Sequence, residues 1–180
     1  ANVPDARAGE GAFAASGTCV LTRPGGLAWF VTGASQVDTR VMRSTDWGLT
    51  WSEAPTPVPS TKSDEGLASL AFFDDLRGVA FGTAHDSAAV NVAVTSDGGA
   101  SWAPAGRALN GIVYGGAVVP GAPTPTLVAV SPEGSAYSSD GGATWTVFDT
   151  ANHWTVAFLS ADVGWAGGRG RISRIARRPR

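Results

Sequence analysis

Three octapeptides limit what this chain can fold into: Ser44–Trp51, Thr95–Trp102 and Ser138–Trp145. Each reads hydroxyl, any residue, Asp, any residue, Gly, any residue, hydroxyl, Trp. The fixed positions are Ser44, Asp46, Gly48, Thr50 and Trp51 in the first, Thr95, Asp97, Gly99, Ser101 and Trp102 in the second, and Ser138, Asp140, Gly142, Thr144 and Trp145 in the third. The chemistry is that of a tight hairpin. An Asp carboxylate accepts backbone N–H groups further along the turn, Gly takes up positive φ without a Cβ clash, and Trp closes the turn against the sheet beneath it. Three copies with the same residue types in the same slots are a repeat. The aspartates are therefore expected to hold turns rather than to catalyse.

The spacing defines the architecture. Successive box aspartates lie 51 and 43 residues apart, close to the ~40–50 residues of one four-stranded blade. Between the boxes the chain shows short apolar runs and period-2 alternation, as in Val90, Val92 and Val94 against Asn91, Ala93 and Thr95, the pattern of strands in a sheet packed on both faces. Strands are expected at Phe13–Leu21, Leu27–Thr32 and Arg40–Ser44 with a short outer strand from Trp51, then Leu67–Phe73, Gly78–Phe81 and Val90–Thr95. Further strands are expected at Gly115–Val119, Thr126–Val130 and Ser135–Ser138, and a last group at Trp154–Leu159, Val163–Ala166 and Arg171–Ile175. Pro55, Pro57 and Pro59 end the first group, because proline removes ladder donors. The fold class is all-β, a β-propeller of four-stranded antiparallel blades with about four in this chain, at 12–57, 66–105, 112–150 and 153–176. The last blade is expected to be one strand short. Residues 1–11 read as an extended lead-in and 177–180 as a basic tail.

The octapeptide is identified as the Asp-box, or bacterial neuraminidase repeat, of sialidases, sortilin-type receptors and photosystem II assembly factors. Propellers of that kind close with about six to eight blades. The resemblance therefore implies either a longer native protein or a second chain that completes the ring. The chain starts with Ala1 and shows no charged, apolar, small-residue leader, so either a targeting segment has been removed or the sequence is a piece of something longer.

A narrower resemblance lies in Phe13-Ala14-Ala15-Ser16-Gly17-Thr18, in Arg40–Pro57, and in Leu127-Val128-Ala129-Val130 leading to Tyr137-Ser138-Ser139-Asp140. These resemble the photosystem II assembly and stability factors and their bacterial relatives over nearly the whole chain. The resemblance implies a non-enzymatic, exported protein, periplasmic or lumenal, peripheral to the membrane and bound to a membrane-embedded photosynthetic complex. It departs from the family where relatives carry Gly-Tyr-Arg-Ser and this chain has Val113-Tyr114-Gly115-Gly116. It departs again where they carry Gly-Gly-Asp-Tyr and this chain has Phe81-Gly82-Thr83-Ala84. Both departures remove polar groups that could face the channel, and with them the basis for an inherited small-molecule site.

Other chemistries are weighed on the same residues. A sialidase or other glycan-processing propeller is the enzymatic alternative, and it needs an arginine triad, a Tyr–Glu pair and an Asp acid. The Phe-Arg-Ile-Pro motif that supplies the first arginine is absent, and Tyr114 and Tyr137 are the only tyrosines. A glycan site would gather exposed aromatics at loops, whereas Trp29, Trp154 and Trp165 are expected within strands. Cys19 is the single cysteine, read as a buried strand thiol. His85 and His153 read as solvated loop histidines with no zinc spacing. Asp64-Glu65 and Asp74-Asp75 read as a solvated rim, and Gly167-Gly168-Arg169-Gly170 as a strand turn with no following helix to bind phosphate. No dinucleotide, haem or redox-cysteine motif is present, and no cofactor or metal is expected.

Charge is segregated along the chain. Arg169, Arg171, Arg174, Arg177, Arg178 and Arg180 fall in the last dozen residues with no acid among them, whereas the remainder carries seven basic against fifteen acidic residues. An acidic body does not suit a nucleic-acid groove, and no apolar run is long enough to span a membrane as a helix. Arg174, Arg177, Arg178 and Arg180 are the candidate partner contacts, toward an acidic protein surface or anionic lipid headgroups.

Overall fold

The computed structural model describes residues 2–33, 38–86 and 89–176. Every regular element among them is a strand. The order is β1 (Val20–Arg23), β2 (Leu27–Thr32), β3 (Arg40–Ser44), β4 (Ser52–Pro55), β5 (Gly66–Phe72), β6 (Gly78–Thr83), β7 (Val92–Thr95), β8 (Ala103–Pro104), β9 (Gly115–Val118), β10 (Leu127–Ser131), β11 (Gly134–Ser138), β12 (Thr146–Asp149), β13 (Thr155–Ser160), β14 (Val163–Gly168) and β15 (Arg171–Ile175). They form four antiparallel meanders, β1–β4, β5–β8, β9–β12 and β13–β15, the last with three strands. These are blades of a β-propeller, and Gly33, just after β2, bridges to Gly66 of β5 between the first two.

Blades pack face to face through three cores. Trp29, Val31 and Val41 of the first blade meet Leu67, Leu70, Phe72, Ala80 and Ala93 of the second. Phe81, Val79 and Val92 of the second meet Leu127, Ala129 and Ala136 of the third. Val128 and Val130 of the third meet Val156 and Ala166 of the fourth. The alternation in β7 explains how one strand serves two seams: Val92 turns toward the third blade while Ala93 turns toward the first. Where blades approach closest, side chains give way to glycine. A Cβ on Gly116 would stand 2.2 Å from the Phe81 ring, and one on Gly33 would stand 2.5 Å from the Gly66 backbone.

The structure shifts several sequence expectations. The first strand begins at Val20, not Phe13, because the chain bonds to β2 only from Cys19 onward, where the Cys19 carbonyl accepts the Val31 N–H; just before it Thr18 turns to the second blade, with Thr18 Oγ1 2.7 Å from Ser69 Oγ and the Leu70 N–H donating to the Thr18 carbonyl. Cys19 lies half-buried just ahead of β1. The extended lead-in is tied to the first blade: Asn2 bridges to Thr50, Gly11 pairs with Gly33, and the Glu10 side chain is buried against Arg40. Among the described residues no helix is long and apolar enough to cross a membrane.

Candidate functional site

The three Asp-boxes share one bonding scheme. Asp46 Oδ1 accepts the Thr50 N–H and the Ser44 hydroxyl while Oδ2 accepts the Thr50 hydroxyl. Asp97 does the same with Ser101 and Thr95, and Asp140 with Thr144 and Ser138. The Gly48, Gly99 and Gly142 N–H groups donate to the hydroxyls of Ser44, Thr95 and Ser138. With hydrogen bonds from Thr144 leading, Asp140 is held down at about 2; Asp46 and Asp97 are lowered likewise, chiefly by Thr50 and Ser101. Hydrogen bonding to the charged form is the cause in each case. Each carboxylate is thus committed inside its own turn.

The boxes differ in two slots. The residue after Asp takes left-handed φ in all three, and it is Gly98 and Gly141 in two but Trp47, at φ 65, in the first. Trp47 is 79% exposed. The closing indoles of Trp51 and Trp145 donate to the Gly48 and Gly142 carbonyls, but Trp102 Nε1 is buried without a partner. At that box the indole of Trp29, from the preceding blade, donates to the Gly98 carbonyl at 2.7 Å.

The polar side chains outside the boxes are mostly spent on architecture. His153, expected in solvent, is 1% exposed, with Nδ1 3.1 Å from Ser135 Oγ and Nε2 3.0 Å from Ser173 Oγ, so it ties the third blade to the fourth. His85 pairs with Asp64. Glu65, expected on a rim, is buried: burial pushes its carboxyl up, but the Thr61 hydroxyl and the N–H groups of His85, Thr61 and Lys62 outweigh this and hold it at about 2. Asp74 caps its own turn through the Leu76 and Arg77 N–H groups. Among the arginines, Arg40 is locked to Glu10 and Glu53, and Arg107 donates to the carbonyls of Ala84, Asp86 and Ala89. Tyr114 packs edge-on against Trp154, which sits just before β13, and Tyr137 lies tilted against Phe148. Trp29 and Trp165 lie in β2 and β14. Among the described residues no three His, Cys, Asp or Glu side chains converge to hold a metal ion.

Arg174 is exposed on β15; Arg177, Arg178 and Arg180 lie outside the described residues. Beside β15 an open groove of about 750 Å³ runs between the third and fourth blades, walled by Val128, Tyr137, Phe148, Phe158 and Ile175. The groove is not visible in residue types, since it depends on how two blades meet.

Comparison with known proteins supports the class of fold. No family model and no curated protein matches the chain. Among solved structures, YCF48 bound to D1 peptide is similar over 89% of this chain and 56% of its own, at 17% identity and a TM-score of 0.53. A GH74 enzyme from Niastella koreensis matches 88% of this chain and 28% of its own, at 16% identity and a TM-score of 0.59. The NanB sialidase of Streptococcus pneumoniae matches 78% and 25%, at 11% identity and a TM-score of 0.57. The chain therefore spans about half the length of YCF48 and about a quarter of the two enzymes. Together with the three boxes, these likenesses define four blades of a propeller of the bacterial neuraminidase repeat type.

Proposed function

We propose that the chain is a non-enzymatic binding propeller, exported and peripheral to the membrane, that associates with a membrane-embedded photosynthetic complex. The observation that carries this reading is the likeness of its blades to YCF48, a propeller seen with a D1 peptide bound. The motifs at Phe13–Thr18, Arg40–Pro57 and Tyr137–Asp140 support it. So does the commitment of Asp46, Asp97, Asp140 and Glu65 to hydrogen bonds of their own turns, which leaves them poorly placed as acids or bases. In this reading Arg174, Arg177, Arg178 and Arg180 contact an acidic surface of the complex. Affinity purification of the tagged native protein, followed by mass spectrometry, tests it. Recovery of photosystem or reaction-centre subunits supports the reading; their absence from a preparation of membrane-bearing cells overturns it.

A second reading, a glycan-binding or glycan-processing propeller, is supported by the likeness to the GH74 enzyme and the sialidase. Hydrolysis of a fluorogenic sialoside, or selective retention on immobilised glycans, would favour it over the first.

A further inference from the structure

We propose that Asn110 is a site of spontaneous deamidation, at which the native fold lets the Gly111 nitrogen displace ammonia from the asparagine side chain and so convert it to aspartate and isoaspartate. The proposal rests on neither functional reading. It starts from a contrast between residues that precede glycine. A side-chain carbonyl followed by Gly is open to attack by the next backbone nitrogen, because no Cβ crowds the approach. The chain holds three such pairs, Asp97-Gly98, Asp140-Gly141 and Asn110-Gly111.

The fold disarms the first two. The Gly98 N–H donates to the Leu76 carbonyl at 2.8 Å and the Gly141 N–H to the Pro125 carbonyl at 3.0 Å, so both nitrogens are engaged elsewhere. The two carboxylates are bonded inside their boxes and kept ionised, which makes them poor electrophiles.

Asn110 has no such protection. It is exposed on the connection between β8 and β9, and among the described residues its carboxamide makes no hydrogen bond. Gly111 stands at φ 76 with open space where a Cβ would be. The chain is pinned on both sides of the pair. Asn91 holds the Leu109 carbonyl and the Ala108 N–H, and the Ala84 N–H donates to the Gly111 carbonyl at 3.0 Å. The Asn110 side chain and the Gly111 nitrogen lie between these pins. The other asparagines differ: Asn91 is buried with both side-chain atoms bonded, Asn152 precedes His153, and Asn2 precedes the β-branched Val3.

The step balances with water alone. The Gly111 nitrogen gives its proton to hydroxide and bonds to Asn110 Cγ; the Cγ–Nδ2 bond breaks, and the nitrogen leaves as ammonia after taking a proton from water. Water then opens the succinimide ring. Opening at Cγ gives aspartate, whereas opening at the main-chain carbonyl gives isoaspartate, whose backbone runs through Cβ and Cγ and is longer by a methylene. That extra length falls between the two pins, where it displaces the Gly111 carbonyl from the Ala84 N–H. Ala108, Leu109 and Val113, on either side, belong to the core between the second and third blades.

The test holds the purified full chain in warm, mildly alkaline buffer, folded or in urea, and maps it by mass spectrometry with fragmentation that separates aspartate from isoaspartate. In the folded chain Asn110 is expected to lose its amide at a rate within about tenfold of that in urea, a barrier difference of no more than about 1.4 kcal/mol. The rate should rise in proportion to hydroxide. Asp97 and Asp140 should isomerise in urea and stay unchanged in the folded chain. Asn110→Gln should lower ammonia release to that of the remaining amides, and the isoaspartyl fraction should exchange the Ala84 amide hydrogen faster than the parent. Conversion of Asn110 in urea with none in the folded chain would overturn the proposal. So would equal conversion of Asn91 or Asn152 in the folded chain, and unchanged exchange at Ala84 would overturn the structural consequence assigned to it.

Discussion

Glu10 and Arg40 form a two-pronged ion pair, Nε to Oε1 at 2.6 Å and Nη2 to Oε2 at 2.5 Å, with both side chains only 3% exposed. The Thr32 hydroxyl and the Arg7 N–H also donate to the carboxylate, and the Asp5 carbonyl takes a further Arg40 N–H. Burial pushes the Glu10 carboxyl up, but the bonds from Arg40, Thr32 and Arg7 outweigh it and bring it to about 2. The pair pins the lead-in across the first blade.

Acid should therefore loosen the first blade. A carboxylate held at about 2 against an ordinary 4.5 contributes stability that is complete above the ordinary value and is lost as pH falls toward the lower one. Glu65 behaves in the same direction over the same window. The melting temperature is expected to hold from neutral pH down to about 5 and then to fall steeply, following the unfolded-state carboxylate range. Glu10→Gln should destabilise by about 3 kcal/mol at neutral pH, because Arg40 loses its buried partner. The variant's acid transition, followed by circular dichroism, should be shallower than that of the parent; an equally steep one would assign the effect to other carboxylates.

Asp140→Ala removes the acceptor for the Thr144 N–H and for two hydroxyls. The expected cost is about 1–2 kcal/mol, as for loss of a capping side chain. Urea unfolding measures it. Loss of partner association with an unchanged midpoint would instead make Asp140 a contact residue.

Trp47→Gly should stabilise the protein. Left-handed φ costs an L-residue with a bulky side chain about 1–2 kcal/mol, and an exposed indole recovers little of this by packing; allowing for the greater chain entropy of glycine, a net gain of about 0.5–1 kcal/mol is expected. The sister residues Gly98 and Gly141 occupy the same slot. An earlier urea midpoint in the variant would show that the indole's contact over Gly26 outweighs the backbone strain.

Replacing Arg174, Arg177, Arg178 and Arg180 with Ser should weaken association with the partner complex and flatten its salt dependence, while the melting temperature barely moves. Long-range attraction of this kind fades as the Debye length shrinks to ~8 Å at physiological ionic strength. Unchanged affinity at low salt would move the contact surface to the blade loops.

The features legible in the sequence are those encoded over short separations. Strand alternation in Val92–Thr95, the proline stop after β4 and the spacing of Ser44, Asp46, Gly48 and Thr50 are local, and the elements appear where those patterns lie. Contacts across the fold have no such signature. Glu10 and Arg40 are 30 residues apart with no periodicity linking them, and His153 looks like any loop histidine until β11 and β15 bring Ser135 and Ser173 to its two nitrogens. Clustered arginines pointed to the last blade through charge alone. The groove beside them arises where the third and fourth blades meet, which residue types do not record.

The seams between blades have a direction. Gly99 of the second box lies against Trp29 of the first blade, Gly142 of the third box against Val92 and Val94 of the second, and the Trp145 ring meets Phe81 of the second edge-on. Each turn thus rests on the blade made before it, and the first box rests instead on the lead-in through Asn2. Domains emerge from the ribosome N-terminus first. For this chain, synthesis order and support order coincide: every box is translated when the surface that receives it already exists, so the blades can be laid down one after another without waiting for the C-terminus.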